Sequence, residues 1–221
     1  MIRRALTAAG GAVLAGATRM LAVLRPAEKP LHPVGVTLVG RIDRSGLAQL
    51  GSGPLSGVPW LDETGQDDVL VRLSRAIGLP AALPDIHGMA IRVVSGEHPG
   101  DVLLASTGWG RLGRFVLTAG RRPGSRPLTS LLPYRTPAGP VVLGARATGP
   151  ASYELFWARY NDDWRRFANL ELTGEQAVDQ EISFDPVRRQ IPGLAQYPAV
   201  VRLREPSYRR ARRSRQEGPP R

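Results

Sequence analysis

The stretch L-P-D-I-H-G-M-A-I-R-V-V (83–94) sets Asp85, His87 and Gly88 at the mouth of an apolar, strand-like run, and His87 is one of three histidines in the chain. An acid beside an imidazole can take and return protons at neutral pH. The same residues with a glycine also make an ordinary turn into a strand, so a site and a turn are both open. A second motif, G-W-G-R-L-G (108–113), matches the spacing of a dinucleotide-binding loop. That chemistry also needs a following helix and an acid about 20 residues on for the ribose. Gly120 and Pro123 cut any helix short, and the next acid after Asp101 is Glu154, so a glycine-rich connection is the reading. Asp162, Asp163 and Asp185 have neither the spacing of a calcium loop nor a His/carboxylate triad. Asp162 and Asp163 read as a solvated turn. A nucleophilic serine elbow, G-x-S-x-G, is absent, and with no cysteine the chain cannot use disulfides, zinc thiolates, iron–sulfur clusters or a thiolate haem ligand.

The elements that must position these groups are short. V-G-V-T-L-V-G-R-I (34–42), D-V-L-V-R-L-S-R (68–75), M-A-I-R-V-V (89–94), D-V-L-L-A-S (101–106) and G-P-V-V-L-G-A-R-A-T (139–148) are rich in Val, Ile and Leu and bounded by Gly or Pro. S-Y-E-L-F-W-A-R-Y and W-R-R-F-A-N-L-E-L flank N-D-D as a hairpin would, and Tyr153, Leu155 and Trp157 alternate with Glu154 and Phe156. Q-E-I-S-F-D-P (180–186) is one more candidate strand. Helices are expected over 3–24, ended by Pro26, over 112–118, over 128–132, and over 207–215 after Pro206. Many short strands at close spacing predict a mainly β chain with peripheral helices, an α+β antiparallel barrel or sandwich. With 221 residues, 25 Gly and 20 Pro, one loop-rich domain with a tail is the natural organisation.

The net charge of +11 is unevenly spread. Residues 201–221 hold eight arginines against Glu205 and Glu217, and residues 102–153 hold seven arginines and no acid. Basic runs make solvated faces or meet anionic ligands and surfaces. A dedicated nucleic-acid module would need aromatic platforms or a recognition helix, and Tyr208 alone sits in the tail. Specific nucleic-acid binding is therefore not expected; nonspecific polyanion binding is, and peripheral contact with an anionic surface stays open beside a solvated face. The N-terminus joins two arginines to a Gly/Ala-rich apolar run broken by Arg19. It reads as a docking helix, or as a signal peptide if residues 1–17 are cleaved near Ala15-Gly16-Ala17. The expected compartment is the cytoplasm in the first case and outside it in the second. No run of the sequence is long and apolar enough to span a bilayer.

Taken in chain order, four patches resemble the haem catalase superfamily. L-H-P-V-G-V-T-L-V-G keeps a histidine, His32, with Gly35 and Gly40 three and eight residues on. V-R-L-S (71–74) resembles that family's V-R-F-S strand, and P-D-I-H-G-M-A-I-R-V resembles its D-P-R-G-F-A-x-K-F. D-V-L-L-A-S-T (101–107) resembles D-L-V-G-N-N-T. The four cover roughly residues 30–120. R-E-P-S-Y-R-R near the C-terminus resembles the R-x-F-small-Y-x-D pattern whose tyrosine holds the iron, with Pro206 in place of the aromatic and Arg210 in place of the acid.

The resemblance implies a catalase-like antiparallel β-barrel in three parts: an N-terminal helical segment (1–30), the barrel (31–206) and a basic C-terminal helix or tail (207–221). It implies haem b, with His32 as the distal base, Ser74 supporting it, and Arg72 pairing with a propionate. Ser106, or Ala105, stands where catalases carry an essential asparagine. Tyr208 would be the metal ligand. A phenol titrates near pH 10, so ligation as phenolate calls for positive charge, and Arg204 and Arg212 lie one helical turn either side. Tyr208 packing an amphipathic terminal helix onto the barrel is the plain alternative. His87 falls where catalases carry arginine, which makes it a structural residue at a strand mouth. The implied function is that of a weak haem peroxidase acting on peroxide or a hydroperoxide, rather than an efficient catalase, because a serine or alanine replaces the amide. The alternative is a haem-free barrel that binds a small apolar or anionic ligand without catalysis.

Overall fold

A computed structural model describes residues 34–46, 54–76, 82–94, 99–176, 182–202 and 204–205. Ten strands form one antiparallel sheet: β1 (Val34–Ser45), β2 (Thr64–Arg75), β3 (His87–Val93), β4 (Gly100–Ser106), β5 (Leu128–Thr129), β6 (Tyr134–Thr136), β7 (Gly139–Ala147), β8 (Ser152–Arg159), β9 (Arg165–Gln176) and β10 (Ala195–Gln196). The order β7-β5-β4-β3-β2-β1-β9-β8 closes through β8 onto β7, making an eight-stranded barrel. Closure leaves no free edge in this ring, which is how an all-antiparallel sheet avoids pairing with other chains. β5 and β6 lie end to end along one edge of β7: Leu128 faces Ala145 and Tyr134 faces Val141.

The alternation that closes the barrel is written residue by residue. Along β3, His87, Met89, Ile91 and Val93 are buried while Ala90 and Arg92 are half-exposed; along β4, Val102, Leu104 and Ser106 are buried and Leu103 and Ala105 are not. β8 behaves as its sequence predicts, with Tyr153, Leu155 and Trp157 inward. These inward side chains join Ile42, Val69, Val71, Leu143, Phe167 and Leu170 in one core.

One end of the barrel is plugged by a single helical turn, α1 (Pro59–Asp62). Its Trp60 is 1% exposed and meets Phe167 edge-on at 5.1 Å. The Asp62 carboxylate fixes the approach to the turn by accepting from the Ser56, Gly57 and Val58 amides and the Ser56 hydroxyl. Inside, Asp67 accepts from Trp60 Nε1 at 3.0 Å and from Arg44 Nε at 2.9 Å, which compensates a buried carboxylate.

Three expected elements differ. Residues 112–118 hold a 3-10 turn at Gly113–Phe115, not a helix, because Gly108 and Gly113 bring the two ends of the loop together through a Gly108 N–H to Gly113 carbonyl bond. Residues 128–132 begin as β5, since pairing with β7 outweighs local helix propensity there. Residues 182–185 form no strand; they are held by side-chain contacts described below. The helices expected over 3–24 and 207–215 lie outside the described residues. Among the described residues no helix is long and apolar enough to cross a membrane.

Candidate functional site

The register of β1 to β4 decides which residues share a face. Directly opposed residues point the same way, and successive residues alternate. Gly35 lies opposite Ser74, Ser74 opposite Gly88, and Gly88 opposite Ala105. The next outward row runs Thr37, Arg72, Ala90, Leu103. Between these rows, Leu73, Met89 and Leu104 turn inward to the core. The outer face of four adjacent strands is therefore a shelf of small residues, Gly35, Ser74, Gly88, Ala90 and Ala105, with Arg72 upon it. Arg72 is half-buried and lies across Gly35: a Cβ built on Gly35 would stand 2.9 Å from Arg72 Cζ. Absence of a side chain at 35 is what lets the guanidinium lie there.

Beside this shelf the same face carries an ion pair. Arg92 donates from Nε to Asp101 Oδ1 and from Nη2 to Asp101 Oδ2, both at 2.7 Å, across the β3–β4 register. Arg92 also donates to the Ser183 carbonyl, and its guanidinium lies 5.0 Å from the Phe184 ring centre. Asp101 accepts from the Asp185 amide at 2.6 Å, and its own amide donates to the Arg189 carbonyl. This cluster straps residues 183–189 onto β3 and β4. The chain then passes through β10, paired with β6, into helical residues 198–202 and 204–205.

Arg204 closes that path. β4 pairs with β5 only at Ala105 and Ser106, so the Leu103 backbone is not met by β5. Tyr134 on β6 is buried, with the Leu103 backbone and the Arg204 guanidinium near enough to its phenol to act on its charge. Burial pushes this phenol above its ordinary value; Arg204 and the Leu103 backbone pull it back, and the Asp101 carboxylate opposes them.

Of the residues singled out by sequence, Arg72 and Ser74 lie on the shelf, and both have interaction partners. Ser106 does not join them. It is fully buried on the inward row, where its hydroxyl accepts from the His87 amide at 3.0 Å and donates to the Thr118 carbonyl at 2.7 Å. Ala105 takes the outward place. His87 is 5% exposed; its Nε2 bonds the Gly120 carbonyl at 3.0 Å, and its Nδ1 has no hydrogen-bond partner among the described residues. Asp85 pairs with Arg75 at 3.4 Å and bridges the Gly120 backbone, so these polar groups bind the β2 end and the start of β3 to the loop after β4. His32, Tyr208 and Arg212 lie outside the described residues. Among the described residues no three His, Asp or Glu side chains gather as a metal site.

Sequence reasoning missed Tyr134 and the shelf. A lone tyrosine between Pro133 and Arg135 carries no pattern, and its partners are far away in sequence. The shelf was present as small residues at Gly35, Gly88, Ala90 and Ala105, but only the register aligns them.

Comparisons with known proteins agree with this architecture. No family model matches the chain, and no curated protein matches it. Among solved structures, one described as the structure of a bacterial catalase matches with a TM-score of 0.57 at 11% identity, over 89% of this chain and 59% of that one. The chain thus spans under two thirds of that catalase. At this identity the likeness is one of fold: the barrel is catalase-like.

Proposed function

We propose that this barrel binds haem b on the outer shelf of β1–β4 and acts as a weak peroxidase or hydroperoxide-processing enzyme. The observation that carries the reading is Arg72 held across Gly35 at the margin of a face made of Gly35, Ser74, Gly88, Ala90 and Ala105. Such a surface suits a flat group bearing carboxylates: small residues admit a plane, and a guanidinium meets a propionate with two parallel hydrogen bonds. The cluster at Arg92 and Asp101 lies beside it and brings the C-terminal segment to the same strands.

In this reading His32 takes a proton from one peroxide oxygen and returns it to the other, and Ser74 steadies the imidazole. Tyr208 holds the metal as phenolate, with Arg204 and Arg212 supplying the positive charge that lowers a phenol's pKa. When bound, haem supplies the oxidation–reduction chemistry. Ala105 offers no amide to a bound peroxide, and both roles of the Ser106 hydroxyl are taken by backbone groups. That is why we assign slow turnover instead of efficient disproportionation. The same two residues favour a second reading, in which the shelf binds a small apolar or anionic ligand with no haem and no catalysis.

Expression of the full chain with haem supplied separates the two. The first reading expects a Soret band that Tyr208→Phe abolishes or shifts and that Arg72→Ala weakens. A wild type that takes up no haem sinks it and leaves the second.

A further inference from the structure

The connection between β4 and β5 holds two of its apolar residues, Leu112 and Val116, outward, although it is firmly built. Leu112 is 77% exposed, the highest value among the described large hydrophobic residues, and Val116 is 46% exposed. Flexibility does not explain this. Directly beneath them Arg114 is 1% exposed: Nη2 donates to the Asp162 carbonyl at 3.1 Å, its own carbonyl accepts from Thr129 Oγ1 at 2.6 Å, and its guanidinium lies 4.4 Å from the Trp164 ring centre. Trp164 stacks on Trp109 at 4.3 Å and donates from Nε1 to the Trp109 carbonyl at 2.7 Å. Both indoles lie against Gly144, where a Cβ would meet Trp164 at 3.0 Å and Trp109 at 3.1 Å. Phe115 is buried against Tyr160. The loop is a rigid mount, and what it presents is aliphatic.

The charge of this connection is equally one-sided. Arg111, Arg121, Arg122 and Arg126 are exposed on it, and the sequence holds no acid between Asp101 and Glu154. Asp163 pairs with Arg111 at 3.4 Å from outside the connection; their side chains are 63% exposed for Arg111 and 91% for Asp163, so water screens that pair heavily. Asp162, half-buried, also lies near Arg114. An exposed leucine and valine on a connection that also exposes four arginines, backed by half-buried tryptophans, combine the two attractions of a peripheral membrane element: aliphatic insertion and contact with lipid phosphates.

We infer that the β4–β5 connection docks this protein on an anionic lipid bilayer, with Leu112 and Val116 entering the interface and the exposed arginines of the same connection meeting headgroups. A single-stranded nucleic acid would use the arginines but would leave the aliphatic tip without a role, which is why the observations favour lipid. Rigid mounting means that little ordering accompanies docking.

The test uses the full chain with phosphatidylcholine vesicles, with and without phosphatidylserine. Co-sedimentation is expected only with the anionic lipid. Leu112→Ser/Val116→Ser should weaken partitioning by about tenfold, and Arg121→Gln and Arg122→Gln by about fivefold each, without changing thermal unfolding, since all four side chains are exposed. Lipids brominated on their acyl chains should quench tryptophan emission in the wild type and not in the Leu112/Val116 variant. Binding indifferent to the Leu112/Val116 change, or binding without quenching, would assign adsorption to the arginine-rich residues 201–221 and overturn the inference. So would retention on single-stranded DNA with none on vesicles, or a dimer that the same two serines dissociate.

Discussion

The Arg72 guanidinium occupies the space that a side chain at Gly35 would need, and the two residues sit on neighbouring strands two pairs apart along the ladder: Gly35 faces Ser74, and Arg72 faces Thr37. Because an added Cβ would also stand 2.9 Å from the Leu73 carbonyl, backbone as well as guanidinium must give way. Gly35→Ala is expected to lower stability by about 1–3 kcal/mol, the usual cost of overpacking, measured as the urea midpoint. Adding Arg72→Ala should recover part of that loss but not all. Full recovery would place the whole clash in the side chain.

Asp101 offers a sharper test of what straps the C-terminal segment down. Its side chain is fully buried and accepts two bonds from Arg92 and one from the Asp185 amide. Asp101→Ala strands the Arg92 guanidinium, whose side chain is 12% exposed, and should cost about 3–5 kcal/mol, as breaking one partner of a buried pair does. Proteolysis should then begin in residues 182–196, ahead of the barrel strands. An unaltered cleavage pattern would show that β10 alone anchors the segment.

The contrast between these residues and their sequence shows where local reading reaches its limit. Strands β3, β4 and β8 are legible because buried and half-exposed positions alternate along them, whereas β7 reads as a continuous apolar run, buried from Val141 to Ala145. β5, β6 and β10 are two or three residues long, too short to carry a period, and β5 takes its conformation from pairing with Ala145 and Gly144. The site follows the same division. Arg72 and Ser74 could be chosen from the V-R-L-S patch, since both belong to one alternating strand. Choosing between Ala105 and Ser106 requires knowing which inward row β4 adopts against β3, and that is fixed by the Ala105–Gly88 pairing. The stack of Trp109 on Trp164, like the tie from Arg92 to Ser183, joins residues that no sequence window contains.

Two buried phenols give stability an alkaline limit. Burial raises both Tyr134 and Tyr153 above their ordinary value of 10.0. In the unfolded chain they ionise near pH 10, so above that pH the unfolded state holds fewer protons than the folded one and stability falls as pH rises. Below it both states are protonated and this contribution is unchanged. Urea midpoints measured from neutral pH upward should be flat in this respect until about pH 10 and then decline. Tyr134→Phe removes one of the two raised phenols and should decline less steeply above about pH 10. An unchanged alkaline slope would remove Tyr134 from the account.

The last prediction concerns the two adjacent residues of β4 that face opposite ways. Ser106→Ala leaves the His87 amide and the Thr118 carbonyl without their hydroxyl partner in a fully buried place, and should cost about 1–3 kcal/mol. Since Ser106 points away from the Arg72 row, the change should leave haem uptake per folded molecule as it was. Ala105 is the reverse case. It is half-exposed beside Gly88 and in the same outward row as Ser74, so an asparagine there adds an amide to the shelf and fills no core space. If the haem reading holds, Ala105→Asn should raise oxygen release from peroxide on the order of tenfold by supplying a hydrogen-bond donor beside the bound peroxide, while Ser106→Asn should fail to fold. Haem-loaded Ala105→Asn turning over no faster than wild type would mean that peroxide does not meet this row, and the shelf would then remain only as a binding surface.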